Sequence, residues 1–253
     1  MERERLPFRT FVRTDIGDAR ENWYKTEKKP KLDKMAPEIK APENFVIADV
    51  NAFISGITKL VAKNGNLGVY FGTETARKPD VVLLFAAVEK WSNLPGAYYL
   101  LNKKGELETI DVEKAHTLRN NYQNGVQEVL HDSTGDGHAE TEYIYFGKDV
   151  IAEILEEFRF QADKGRIDGL KVRLVSYADK KIEGTLLRNR PAPEYLQRLS
   201  VLFTYMKDGG DTSFEEIDPE RYERTLAAQE GILGGGLNSG NPIPPPPPQT
   251  DTK

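Results

Sequence analysis

The apolar positions of the chain fall into two stretches that follow the same order. Val50, Phe53, Ile54, Ile57, Leu60 and Val61 share one helical stripe, the mark of an amphipathic helix. Asp49 stands at its N-cap position, and Asn64-Gly65 can end it in the left-handed conformation that glycine tolerates. Leu67, Val69 and Phe71 then alternate with Gly68 and Tyr70, which predicts a strand with one buried face. Residues 81–88 are continuously apolar and rich in β-formers, as in a strand covered on both faces. Residues 97–101 and 106–110 flank the turn Asn102-Lys103-Lys104-Gly105 and predict a hairpin.

The second stretch repeats the plan. Val150, Ile151, Ile154, Leu155 and Phe158 form its helical stripe. Leu170, Val172 and Leu174 make one face of the next strand, with Lys171 and Arg173 on the other. A basic, Pro-containing connection at 185–193 leads to a strand carrying Leu199, Val201, Phe203 and Tyr205, which stops at Asp208-Gly209-Gly210-Asp211. Asp218-Pro219 then opens a helix through Tyr222 and Leu226. The Asp-Val pairs that open the stretches, at 49 and 149, lie 100 residues apart, and the Ile-Asp pairs that follow them, ending at 111 and 218, lie 107 apart. Residues 67–71 answer 170–174, and 81–88 answer 199–206.

This pattern predicts an internal duplication and an α+β fold of two tandem related modules, each a helix followed by a mainly antiparallel sheet, with flanking helices and disordered termini. The modules span 44–111 and 143–231. Between them, 112–142 holds a linker helix carrying Ala115, Leu118 and Tyr122, extended by Val126, Val129 and Leu130, and then an acidic loop. Residues 1–43 read as a polar arm. Asp15 caps a short helix there that the Lys28-Lys29-Pro30-Lys31 run ends, and Trp23 and Tyr24 pin the arm to the body. Residues 232–253 are a Gly/Pro-rich tail whose proline run forms a polyproline II spacer.

Composition narrows the function classes. The net charge is −5, split between +3 for residues 1–40 and −8 for the remainder, so nothing global recruits nucleic acid or an anionic membrane. There is no cysteine, which removes thiol catalysis, Cys-ligated zinc and disulfides, and suits a reducing, cytoplasmic setting. No apolar run approaches the ~20 residues of a membrane helix, and no apolar segment follows the charged N-terminus to make a secretion signal.

Two groups of side chains carry candidate chemistry. Asp132, Thr134, Asp136, Gly137 and Glu140 fill the first, third, fifth, sixth and ninth positions of a calcium loop, with His138 between them. Tyr143 stands where the bidentate carboxylate belongs, so the set is incomplete, and calcium is the only cofactor it suggests. Lys171, Arg173, Arg188, Arg190 and Arg198 are cations gathered in an acidic body that could hold an anion if they converge. Phosphate-binding and nucleophile-elbow motifs do not occur.

The runs Tyr145-Phe146-Gly147-Lys148-Asp149-Val150-Ile151 and Gly169-Leu170-Lys171-Val172-Arg173-Leu174 resemble a group of Bacteroidota proteins with a Phe-Gly-Lys-Asp helix start before a Gly-Ile-Arg-Ile-Tyr-like strand. The likeness extends to 113–122 and to Gly68-Val69-Tyr70-Phe71, so it spans about residues 45–206. The group has no assigned activity, and the resemblance implies no catalytic residues. The expectation is a soluble, non-catalytic binding protein with an unidentified protein partner. The competing expectation is an enzyme, or a metal- or anion-binding protein, working at the seam between modules through His131, Asp132, Asp136 and His138, with Arg173 holding an anion.

Overall fold

The computed structural model describes Val12 and residues 14–62, 65–88, 96–131, 140–178 and 196–233. The chain starts with α1 (Thr14–Trp23), a π turn (Tyr24–Lys28) and α2 (Lys29–Leu32), then β1 (Asn44–Ile47), α3 (Val50–Val61), β2 (Asn66–Gly72) and β3 (Val82–Val88). A hairpin of β4 (Tyr98–Leu101) and β5 (Leu107–Ile110) follows. The order then recurs: α4 (Val112–Tyr122), a π turn (Gln123–Gln127), α5 (Glu128–His131), β6 (Tyr143–Phe146), α6 (Lys148–Asp163), β7 (Gly169–Ser176) and β8 (Leu199–Lys207). The short β9 (Gly210–Thr212), α7 (Phe214–Ile217) and α8 (Pro219–Leu233) close the described chain.

The fold is α+β with two antiparallel sheets, and each sheet is completed by a strand from the other stretch. One sheet runs β1-β7-β8-β9 and the other β5-β4-β3-β2-β6. The exchanged strands sit in matching register. Ile47 of β1 faces Leu170 and Phe45 faces Val172, while Phe146 of β6 faces Leu67 and Ile144 faces Val69. The preceding helices exchange in the same sense, with α1 lying on β7 and α4 on β2. Tyr24 donates its hydroxyl to the Pro42 carbonyl at 2.6 Å, and Tyr122 does the same to Thr141 at 2.8 Å. Arg20 stacks 4.2 Å from the Tyr177 ring, and Arg119 stacks 4.4 Å from Tyr70.

The core follows from the stripes. Val50, Phe53, Ile54 and Ile57 of α3 are buried, as are Ile151, Ile154, Leu155 and Phe158 of α6, and they share one cluster with the inner faces of both sheets. Phe53 joins the sheets directly. Its ring lies 5.6 Å from Phe85 on one and 6.0 Å from Phe203 on the other. A second cluster lies beneath α4, where Leu84 and Ala86 of β3 meet Tyr70, Tyr98, Ala115 and Leu118.

Several local expectations hold. Asp49 accepts from the Asn51 and Ala52 amides at 2.9 Å, Gly65 takes a positive φ of 78°, and Asn102 and Gly105 shape the β4–β5 turn. Residues 82–88 are covered on both faces as their continuous apolar run predicts. Three expectations need correction. The basic run does not end the first helix, which continues to Leu32. A π turn absorbs Pro30, with the Lys29 amide donating to the Tyr24 carbonyl five residues back, so the missing proline N–H falls where a new helical segment begins. β2 is buried on both faces, because α4 covers Tyr70 and Gly72 while the Tyr70 and Val88 side chains close over Gly68. The second helix starts at Lys148 with Gly147 before it, leaving Asp149 in the first turn, where its charge suits the helix dipole.

The π turn at 123–127 brings Gly125 against the backbone of Ala76. A Cβ added there would stand 2.0 Å from the Ala76 carbonyl oxygen, so only glycine fits. Because the clash is with rigid backbone, Gly125→Ala is expected to lower unfolding stability by about 3 kcal/mol or more through overpacking. Gly165→Ala, at a φ of 66° in open space, should cost only about 1–2 kcal/mol. Urea unfolding of both variants measures the difference, and equal losses would contradict the packing argument.

Candidate functional site

β8 is longer than the strand beside it. β9 pairs with Tyr205, Met206 and Lys207 only, because Ser213 turns the chain into α7. Ser213 accepts from the Glu216 amide, and Glu216 accepts from the Ser213 amide in return, so this exit is fixed by a capping box. On the side of β8 away from β7, no strand lies beside 199–204 among the described residues.

A cavity of about 560 Å³ follows this edge. Val201, Phe203 and Tyr205 line it, and so do Leu202 and Thr204. Successive strand residues point to opposite faces, so a cavity that touches both sets wraps around the edge itself. On the inner side its wall is apolar, formed by Phe146, Ile154, Phe158 and Phe214. The Phe203 ring lies 5.9 Å from Phe158 and 6.3 Å from Phe146, which makes the wall a packed aromatic surface. On the outer side the wall is polar. Glu21 and Lys25 come from the first helix, and Lys171 and Arg173 from β7.

Of the residues singled out for anion binding, Lys171 and Arg173 do meet at this cavity. Both are half-buried under α1 and already paired with carboxylates. Lys171 contacts Asp211 of β9, and Arg173 contacts Glu21 and, at 2.8 Å, Asp18. Arg198 is buried just before β8, where its carbonyl accepts from the Tyr177 amide. Arg188 and Arg190 lie outside the described residues.

Of the metal candidates, Asp132, Thr134, Asp136 and His138 also lie outside the described residues, and Glu140 is placed deep in the protein. Its side chain is fully buried and bonds Lys28 Nζ at 2.7 Å, with Lys28 itself only 2% exposed. The other carboxylate oxygen accepts from the Thr141 amide at 2.9 Å and the Leu199 amide at 2.6 Å. One side chain thus ties the first helix to the start of β8. Among the described residues no group of three or more His, Asp or Glu side chains is placed to hold a metal ion. His131 ends α5, while Arg173 sits on β7 beneath α1.

Two buried polar arrangements were not singled out from sequence. Arg119 donates to the Tyr98 hydroxyl at 2.7 Å and pairs with Glu142, beside Tyr70 stacked on Tyr143 at 4.7 Å. Burial pushes the Tyr70 and Tyr98 hydroxyls above the ordinary tyrosine range, and Arg119 offsets part of the shift. Near the C-terminal end, Arg221 donates to Glu157 at 2.7 Å, Gln161 donates to the same carboxylate, and Arg166 holds Asp218 at 2.7 Å. Charges this far apart in sequence leave no periodic signal, so only the fold reveals them.

Comparison with protein-family models, with curated proteins and with solved structures found no match in any of the three. The geometry therefore carries the functional argument by itself.

The Lys28–Glu140 pair gives a direct test of how the first helix is held. Lys28→Met leaves a buried carboxylate without its counter-charge and is expected to cost about 3–5 kcal/mol in chemical denaturation. Adding Glu140→Gln should recover part of that loss, because a neutral amide oxygen can still accept from the two backbone amides. If Lys28→Met alone is neutral, the pair does not anchor the helix.

Proposed function

We propose that this chain is a non-catalytic binding protein that engages a protein partner along the groove beside β8. The observation that carries the reading is the two-sided cavity at a sheet edge that no described strand pairs, with an aromatic wall on one side and a polar wall on the other. Its volume falls in the range of specific ligand sites, and unpaired edges are common templates for association. The acidic body and the paired cations argue against nucleic acid as the partner. A cytoplasmic setting suits a chain without cysteine. We also read the two helix-strand-helix-strand-strand stretches as copies of one ancestral unit, a reading supported by their matching registers and exchanged strands.

The test is comparative capture from host extract. Thr204→Lys places a long charged side chain in the groove at a half-buried position and should reduce retention of the partner about tenfold or more. Glu108→Lys, on the exposed surface of β5, should retain it in full. A Tm unchanged in both variants shows that the fold is intact. Equal retention by the two variants, or no partner retained by the natural chain, would overturn the reading.

One observation favours a second reading, an anionic ligand, since Lys171 and Arg173 both line the cavity. A ligand anion would displace Asp211, the more exposed carboxylate, from Lys171. On this reading millimolar inorganic phosphate raises the Tm and Arg173→Gln removes the increase. An unchanged Tm with phosphate eliminates it.

A further inference from the structure

We infer that the groove takes an extended segment of the partner protein as an added strand beside β8, one that alternates apolar and uncharged polar side chains. This rests on the binding reading above and names the partner's chemistry.

The first support is continuity. The β8–β9 ladder stops at Tyr205 opposite Thr212 only because the capped turn at Ser213 leads the chain away. The row that β9 begins continues alongside 200–204, while the Leu199 amide at the far end is already held by Glu140. The available edge is thus five residues, about 17 Å at ~3.3 Å per residue.

The second support is the other sheet, where the equivalent row is filled. Phe85 faces Val69 across β2 and β3 as Phe203 faces Val172 across β7 and β8. Tyr99 of β4 stands on the far side of Phe85. The sheet that contains β8 has the matching position open among the described residues.

The third support is chemical. Alternate side chains of an added strand point to opposite faces. Those opposite Val201 and Phe203 meet the aromatic wall of Phe146, Phe158 and Phe214, which selects apolar groups. Those opposite Leu202 and Thr204 meet the charged wall. There the cations Lys25, Lys171 and Arg173 are balanced by Glu21, Asp211 and Glu216, with Lys171 on Asp211, and Lys25 and Arg173 on Glu21. A charged partner side chain would have to break one of these pairs or the bonds from Thr212 and Ser213 that hold Glu216, so the charge balance selects neutral polar groups.

Val12 also lines the groove, so the chain's own residues 1–11 are the competing occupant. A random seven-residue peptide library displayed on phage is selected against the full chain, and a recovered peptide is synthesised with and without N-methyl groups on alternate backbone nitrogens. Recovered sequences should show period-two apolar and polar alternation, and N-methylation on the pairing side should weaken binding about tenfold or more by removing ladder donors. The register turns the amides of 200, 202 and 204 toward β7 and those of Val201 and Phe203 toward the groove, so hydrogen exchange at Val201 and Phe203 should slow when the peptide is added. Peptides that fail on Thr204→Lys yet lack alternation and tolerate N-methylation would leave groove binding in place and overturn the added strand. Recovery of no peptide would overturn it, as would Val201 and Phe203 amides that are protected in the full chain and lose protection when residues 1–11 are removed.

Discussion

The structure depends on an exchange of strands. β1 belongs in sequence with β2 and β3 yet pairs with β7, and β6 belongs with β7 and β8 yet pairs with β2. Neither sheet is complete from one stretch alone, so the exchanged edge strands tie the two stretches together and their inner faces share one core. Phe53 makes this concrete by contacting both sheets from a single helix. The helices at the start of each stretch are carried across with their strands, so each outer face is covered by a helix from the other stretch. Long-range pairing of this kind costs loop-closure entropy before any contact forms, and the combined core offsets it.

Polar groups then lock what the apolar core assembles. Lys28 and Glu140 are 112 residues apart and both fully withdrawn from water. A buried pair contributes little over an apolar equivalent, but it punishes any arrangement that separates the partners. Glu140 also receives two backbone amides, so it fixes the first helix and the start of β8 at once. Arg119 with Glu142 and Arg221 with Glu157 do similar work for α4 and α8. Such networks specify one packing among several that bury the same apolar area.

The sequence made the helical stripes and strand alternations legible because each is local and periodic. Asp49, Gly65 and the Asn102–Gly105 turn were readable for the same reason, since each answers a backbone need within four residues. Strand partnership was not readable, because Phe45 carries no mark that sends it to Val172. The burial of Glu140 was hidden by its acidic, Gly-containing surroundings, which resemble a solvated loop. For the groove, Lys171 and Arg173 were legible as a polar strand face, and they do line it. The aromatic wall was not, because Phe146, Phe158 and Phe214 come from three elements that converge only after the sheets exchange strands.

Sheet edges explain why the groove lies where it does. β1, β5 and β6 are edge strands of four residues each, short enough to offer little to an incoming chain. β8 has nine residues and a partial neighbour, so it exposes a longer template. α1 stands over one side of that edge so closely that a Cβ on Gly17 would come within 2.8 Å of Leu202, and α7 and α6 flank the other. These flanks cover both sides of the edge. A covered edge is less open to lateral pairing with a second sheet than a bare strand of the same length. The same helices that shield the edge from indiscriminate pairing supply the apolar and polar walls of the groove.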